Sequence, residues 1–183
     1  MFCSCGRRAT LLKDFRKSMN GCGKIVATDM SPVAPALFMA DETYLVPRID
    51  DPSYYEHVLD ICEKSKVKAI TTLIDPEIEI LAKNREDLLS KGILPLCPAD
   101  WTARLCYDKY EMFKYLHDKG VRTILTYNSL EGFKNGLEKG EISFPVFMKP
   151  INGSGSVGIG KVNSWEEAEA KFKDGKFTYI IQE

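Results

Sequence analysis

Phe144-Pro145-Val146-Phe147-Met148-Lys149-Pro150, continued by Asn152-Gly153-Ser154-Gly155-Ser156-Val157-Gly158-Ile159-Gly160, is the stretch that decides how this chain is read. The first part is an apolar run bounded by prolines, which predicts a strand. The second part holds four glycines, at 153, 155, 158 and 160, within eight residues. Without a Cβ, glycine lets backbone N–H groups come close to an anion and adopt positive φ. Ser154 and Ser156 add hydroxyl donors, and glycine-rich nests of this kind cradle phosphates. Pro150 disfavours helix at Lys149, so an ammonium stands in extended backbone at the mouth of the loop. The pattern is not a Walker A loop, because no Lys follows the last Gly into a helix. Nor is it a Gly-x-Gly-x-x-Gly turn opening a helix. Ile159 to Val162 reads as a second strand, so the loop joins strand to strand like a hairpin flap. Glycine and serine are also linker residues. The flanking strands and Lys149 favour phosphate binding.

Downstream, Ser164 caps a helix over Trp165–Lys173, with Glu167 as its partner three residues on. Thr178 to Gln182 begins a last strand. Upstream, Ser129–Lys139 reads as a helix and Val121–Tyr127 as a strand. Trp101–Lys119 is helical and stops at Gly120. Asp108 and Glu111 form a capping-box pattern, so a second helix begins at Asp108. Lys109 then takes the first helical position, where a cation opposes a helix dipole that favours anions by ~0.3–1 kcal/mol. An anionic ligand would remove that conflict, and a solvated surface lysine is the competing reading.

The first 98 residues alternate strands and amphipathic helices. Strands are predicted at Phe2–Cys5, Lys24–Thr28, Lys68–Ile74 and Ile93–Cys97. Helices are predicted at Thr10–Ser18, with Leu11, Leu12 and Phe15 on one face, at Ser53–Ser65, and at Glu77–Lys91. That alternation implies βαβ units and a parallel, doubly wound sheet. Gly6-Arg7-Arg8 follows the first strand, at the edge where open α/β sheets bind ligands. The two arginines suit a carboxylate or phosphate, or they pair with Asp14 or Asp29. Asp29 stands where a dinucleotide fold places its ribose acid, but Gly6-Arg7-Arg8 lacks the remaining glycines. Asp75-Pro76-Glu77 reads as the start of a helix, with Asp75 as its cap.

The chain has 183 residues, 44% hydrophobic and 28% charged, with a net charge of −1. There is no basic excess for nucleic acid. No apolar run reaches the roughly 20 residues of a membrane helix. With no signal peptide visible either, a cytoplasmic protein is expected. The six cysteines, 3, 5, 22, 62, 97 and 106, form no Cys-x-x-Cys pair and are expected to be reduced core residues. Cys3 and Cys5 alternate on a strand and are expected on one face.

These residues together resemble the ATP-grasp superfamily, most closely the large-subunit synthetase domains of carbamoyl phosphate synthase. The resemblance rests on Cys3-Ser4-Cys5-Gly6-Arg7-Arg8, Thr71-Thr72-Leu73-Ile74-Asp75-Pro76-Glu77, Asp108-Lys109, Phe144 to Gly160, and Ile180-Ile181-Gln182-Glu183. It implies a Rossmann-like pre-ATP-grasp domain over 1–98 and the N-terminal part of an ATP-grasp domain over 99–183. Within the latter it implies a helical linker at 99–120, an α+β lid subdomain at 121–180 and the start of the hinge at 181–183. It further implies an ATP-dependent ligase that joins a carboxylate to an amine or ammonia through an acyl phosphate. Lys109, Lys149, Gly153, Ser154, Gly155, Ser156, Gly158 and Gly160 would hold phosphates. Gln182 and Glu183 would line the adenine or ribose pocket, and Arg7 and Arg8 a substrate surface. In the family the Mg2+ ligands lie in a lobe after the hinge, so Mg2+ is expected with its ligands outside these residues. Both ends read as clipped, and a C-terminal lobe is expected in a longer chain or a second polypeptide. A non-catalytic nucleotide-binding or assembly subunit and a Rossmann NAD-dependent oxidoreductase are the alternatives.

Overall fold

The computed structural model describes residues 1–183, which divide into two units, Met1–Ala103 and Arg104–Glu183. The first unit contains β1 (Phe2–Cys3), α1 (Ala9–Met19), β2 (Val26–Asp29), a 3-10 turn (Leu37–Met39), β3 (Glu42–Leu45), α2 (Tyr54–Lys64), β4 (Ala69–Thr72), α3 (Asp75–Lys83), α4 (Arg85–Ser90) and β5 (Leu94–Pro95). Helix α5 (Asp100–Tyr107) crosses the boundary between the units.

The five strands form one sheet in the order β3-β2-β1-β4-β5, and every pairing is parallel. The chain starts in the middle, winds outward to β3, then crosses back and winds the other way to β5. This is the doubly wound α/β arrangement expected from the alternating pattern, with its switch point between β1 and β4. Parallel neighbours need crossovers, and helices supply most of them. Each face has its own core. Cys3, Val26, Tyr54, Val58, Ile70 and Leu81 pack on one side, and Phe2, Cys5, Leu12, Ala27 and Leu37 on the other.

Several expectations are corrected here. Cys3 and Cys5 lie in different cores, not on one face. Strand β1 stops at Cys3 because Ser4 takes φ +45, which breaks the alternation. The helix expected over Glu77–Lys91 is two helices separated at Asn84, whose side-chain Nδ2 donates to the Ile80 carbonyl at 2.8 Å. That side chain competes for the backbone groups the helix needs. On α1 only Leu12 is buried; Leu11 and Phe15 are 37% and 41% exposed. Phe15 lies edge-on to Phe2 at 4.8 Å. Strand β3, with alternating half-buried and exposed residues, was not anticipated.

The second unit contains α6 (Lys109–Asp118), β6 (Thr126–Tyr127), α7 (Leu130–Glu138), β7 (Val146–Pro150), β8 (Gly160–Val162), α8 (Trp165–Lys173) and β9 (Tyr179–Gln182). Its sheet is antiparallel, in the order β6-β9-β7-β8, so the last strand lies inside it. Phe133 of α7 and Ala168 of α8 close the core with Val146, Met148, Val162, Tyr179 and Ile181. Phe133 stacks on Trp165 with centroids 6.1 Å apart. The strand expected from Val121 is only Thr126–Tyr127.

The caps of this unit are local chemistry read from the sequence. Asp108 accepts from the N–H groups of Tyr110 and Glu111, both at 2.9 Å. Glu111 pairs with Lys114 at 2.6 Å, so the box is not reciprocal. Ser164 Oγ accepts from Glu167 N at 3.3 Å, while the Glu167 carboxylate takes Asn163 N at 2.8 Å. No helix is long and apolar enough to cross a membrane.

Candidate nucleotide-binding site

Strand alternation divides the second unit's sheet into a core face and an opposite face. On β7, Val146 and Met148 enter the core, so Phe147 and Lys149 take the opposite side. On β9, Tyr179 and Ile181 enter the core, so Ile180 and Gln182 join them. The register places Thr126, Gln182 and Phe147 side by side across three strands, and Lys149 beside Ile180. Ile180 is fully buried, whereas Phe147 is 46% exposed. Phe147 and Lys149 are two residues apart, about 7 Å along the strand.

Lys149 is half-buried, and burial holds its ammonium below the usual lysine range. No carboxylate forms an ion pair with it. A partly desolvated cation without a counter-charge is better satisfied by an anion than by the free state.

The glycine-rich segment is the turn of the β7–β8 hairpin, in which Val146 faces Val162 and Met148 faces Gly160. Gly153, Gly155, Ser156 and Gly158 have φ of +106, +67, +61 and +76. Residues 152–157 are exposed, including Ser154 and Ser156. The glycines have different reasons for being glycine. Gly153 and Gly155 would place a Cβ in open space, so only the backbone conformation demands them. At Gly158 a Cβ would come 2.8 Å from Pro150 Cγ and 2.9 Å from Phe177 Cε2. At Gly160 it would meet Lys171 Nζ at 2.7 Å. Gly158 is therefore where the flap is anchored to the body of the unit. Gly158→Ala combines positive-φ strain with overpacking and should cost about 2–4 kcal/mol. Gly153→Ala carries only the strain and should cost about 1–2 kcal/mol. Urea unfolding of the two variants checks the order, and equal costs would refute the anchor.

Lys109, 44 residues away in sequence, reaches this loop. Its backbone N–H donates to the Ile151 carbonyl at 3.0 Å. Its Nζ donates to the carbonyls of Ile151 and Gly153 at 3.2 and 3.0 Å. Asn152 Nδ2 also donates to the Tyr107 carbonyl at 3.4 Å. Lys109 thus staples the start of the loop to the N-terminus of α6. Gln182 Nε2 donates to Thr126 Oγ1 at 2.6 Å. Glu183 follows the end of β9 and is exposed. The residues read from sequence as a phosphate and base site therefore gather in one unit. Phe147 and Thr126 were missed, because in sequence both read as ordinary strand residues.

Arg7 and Arg8 belong to the first unit. Asp29 is buried and accepts from Gly6 N at 2.7 Å and Ser31 N at 2.9 Å. With each oxygen taking a backbone N–H, Asp29 pins the β1–α1 turn. Neither arginine pairs with Asp14 or Asp29. Arg8 lines a crevice of about 320 Å³ at the C-terminal strand edge, with Gly6, Asp29, Arg48, Ile49 and Ile74. Arg7 is exposed outside it. Arg48, three residues beyond the end of β3, pairs with Asp50 at 3.1 Å. No group of three or more His, Cys, Asp or Glu is placed to hold a metal ion.

Residues 1–96 match the PylC-like N-terminal domain family. A stretch of 33 residues is 54% identical to the D-alanine–D-alanine ligase of Corynebacterium jeikeium (strain K411), covering 18% of this chain and 9% of that ligase. The N5-carboxyaminoimidazole ribonucleotide synthetase of Thermus thermophilus superposes with a TM-score of 0.70 at 18% identity, over 99% of this chain and 45% of that one. The biotin carboxylase domain of Hydrogenobacter thermophilus 2-oxoglutarate carboxylase, crystallised with MgADP, ADP and bicarbonate, gives 0.72 at 22% identity, over 100% of this chain and 43% of that one. The chain thus spans less than half the length of these structures, and at such identities the likeness establishes the fold.

Proposed function

The chain belongs to the PylC-like N-terminal domain family and has the front part of the ATP-grasp fold, and from that premise we propose that it is the ATP-binding portion of an ATP-dependent ligase. The ligase joins a carboxylate to an amine or ammonia through an acyl phosphate. Bicarbonate, the carboxylate of the carbamoyl phosphate synthase likeness, is one substrate of this class. Residues 1–98 are its pre-ATP-grasp domain and 121–180 its lid, working in the cytoplasm. Mg2+ accompanies the nucleotide in this chemistry and neutralises charge between phosphates. The residues here offer no carboxylate cluster for it, so no step is assigned through the metal. Its ligands belong to a C-terminal lobe, in a longer chain or a second polypeptide.

One observation carries the proposal. An unpaired, half-buried Lys149 and an exposed Phe147 share the open side of β7, directly before a glycine-rich flap stapled by Lys109. The base lies over Phe147, and Lys149 holds phosphate. The backbone from Gly153 to Gly160 closes over them and keeps water from a reactive acyl phosphate. Gln182 and Glu183 line the base or ribose. In the first unit Arg8, with Arg48 in its crevice, supplies the positive charge for an anionic acceptor, and Arg7 extends that surface.

Calorimetric and thermal-unfolding titrations with MgATP test this reading. A ligand that binds only the folded state raises the midpoint in a concentration-dependent way. MgATP should raise it and NAD should not. No heat and no shift with MgATP would refute nucleotide binding by this chain.

A further inference from the structure

Thr126 on β6 and Gln182 on β9 are direct cross-strand partners. Thr126 is 3% exposed. A threonine hydroxyl carries one proton. Here that proton goes to the Ile124 carbonyl oxygen at 2.9 Å, a group that can only accept. The hydroxyl oxygen must then act as the acceptor toward Gln182, and it takes Nε2 at 2.6 Å. A glutamine carboxamide can turn over, exchanging N and O with little change of shape. A turned carboxamide would need the Thr126 proton, which would leave the Ile124 carbonyl without its donor, so the observed orientation is favoured. Nε2 is held toward β6, which leaves Oε1 as the unused acceptor of a residue whose other cross-strand neighbour is Phe147.

We propose that Thr126 is a positioning residue for base specificity, because its hydrogen bond fixes Gln182 with Oε1 presented to the base edge. The inference rests on reading this face as the nucleotide site. An acceptor there takes a proton from the exocyclic amino group of adenine. Against hypoxanthine or guanine it faces a carbonyl oxygen, so two acceptors oppose each other and the site's polar group stays unpaired. Sites built around one hydrogen-bonding group reject analogues lacking its partner strongly, by contrast with sites that sense only shape.

ATP and ITP differ at this edge alone, so they are the probes, each with Mg2+, measured by calorimetry on the full chain. The parent should bind ATP at least roughly tenfold more tightly than ITP. Thr126→Ser keeps the hydroxyl and should keep the ratio. Thr126→Val leaves nothing to hold Nε2, the carboxamide turns, and the ratio should fall to within about threefold of one. If the valine variant does not fold, Gln182 decides. Gln182→Glu presents only acceptors and should retain the preference, and Gln182→Met should lose it. A parent without ATP preference, or a preference that survives Thr126→Val or Gln182→Met, overturns this inference while leaving the nucleotide site standing. A parent that binds neither ATP nor ITP overturns the site reading, and the inference falls with it.

Discussion

Replacing Lys149 by Met should leave the fold intact and weaken ATP binding about 100-fold, as expected for losing one or two hydrogen bonds to charged groups at ~1.5–3 kcal/mol each. The prediction follows from what Lys149 lacks in the free protein. It stands half-buried on β7, burial depresses its pKa, and no carboxylate balances it. Removing it therefore takes no native ion pair away, and the unfolding midpoint without nucleotide should stay level or rise. Bound phosphates supply the missing counter-charge and favour the ammonium. Affinity should consequently be constant below the depressed lysine pKa and fall as pH rises through it. Lys109→Met should behave differently. Its ammonium already serves the carbonyls of Ile151 and Gly153. Its loss should loosen the flap and lower stability as well as affinity. Calorimetry and urea unfolding on both variants separate the two roles. A Lys149→Met protein that binds ATP within threefold of the parent would remove Lys149 from the phosphate site.

What could be read in advance was what local chemistry determines. The flap was legible because Pro150, Lys149 and the glycines act on their own backbone. Ser164 and Asp108 were legible as caps, since a cap is settled within three residues. The parallel sheet was legible because strands and helices alternate regularly. Most of the misses are features settled by distant partners. Glu42–Leu45 becomes a strand only because β2 pairs with it, residue for residue, from Val26 to Asp29. With β3 unseen, Arg48 was unseen too. The break at Asn84 depends on one side chain choosing the Ile80 carbonyl over continued helix. Phe147 reads as core until the register shows that Val146 and Met148 occupy the core instead. Thr126 and Gln182 are 56 residues apart, and nothing local to either announces the pair.

Glu77 shows the same limit and carries the second large expectation. In sequence it is a first-turn acid of a helix, a favourable place for an exposed carboxylate. In the structure it is fully buried and accepts from the hydroxyls of Tyr54 and Thr72, tying α3 to α2 and β4. Burial, with the nearby charge of Asp29, raises its carboxyl from 4.5 to about 7. Between those two values the unfolded chain has released its proton and the native chain still holds it. The native state therefore binds more protons, and stability falls as pH rises. The contribution is complete below pH 4.5 and lost by about pH 7, a change on the order of 3 kcal/mol. Glu77→Gln cannot ionise, so its stability should lack this decline, and near pH 7.5 it should equal or exceed the parent. Glu77→Ala should be destabilised at both ends by about 3 kcal/mol, because two buried hydroxyls lose their partner. Hydrogen exchange within Met1–Ala103 at pH 5 and 7.5, in urea, reads this unit apart from the other. A parent and a Gln variant with the same pH slope would mean that Glu77 titrates like an exposed acid. A steeper parent would mean that the interior of the sheet holds a proton on its carboxyl until near neutrality.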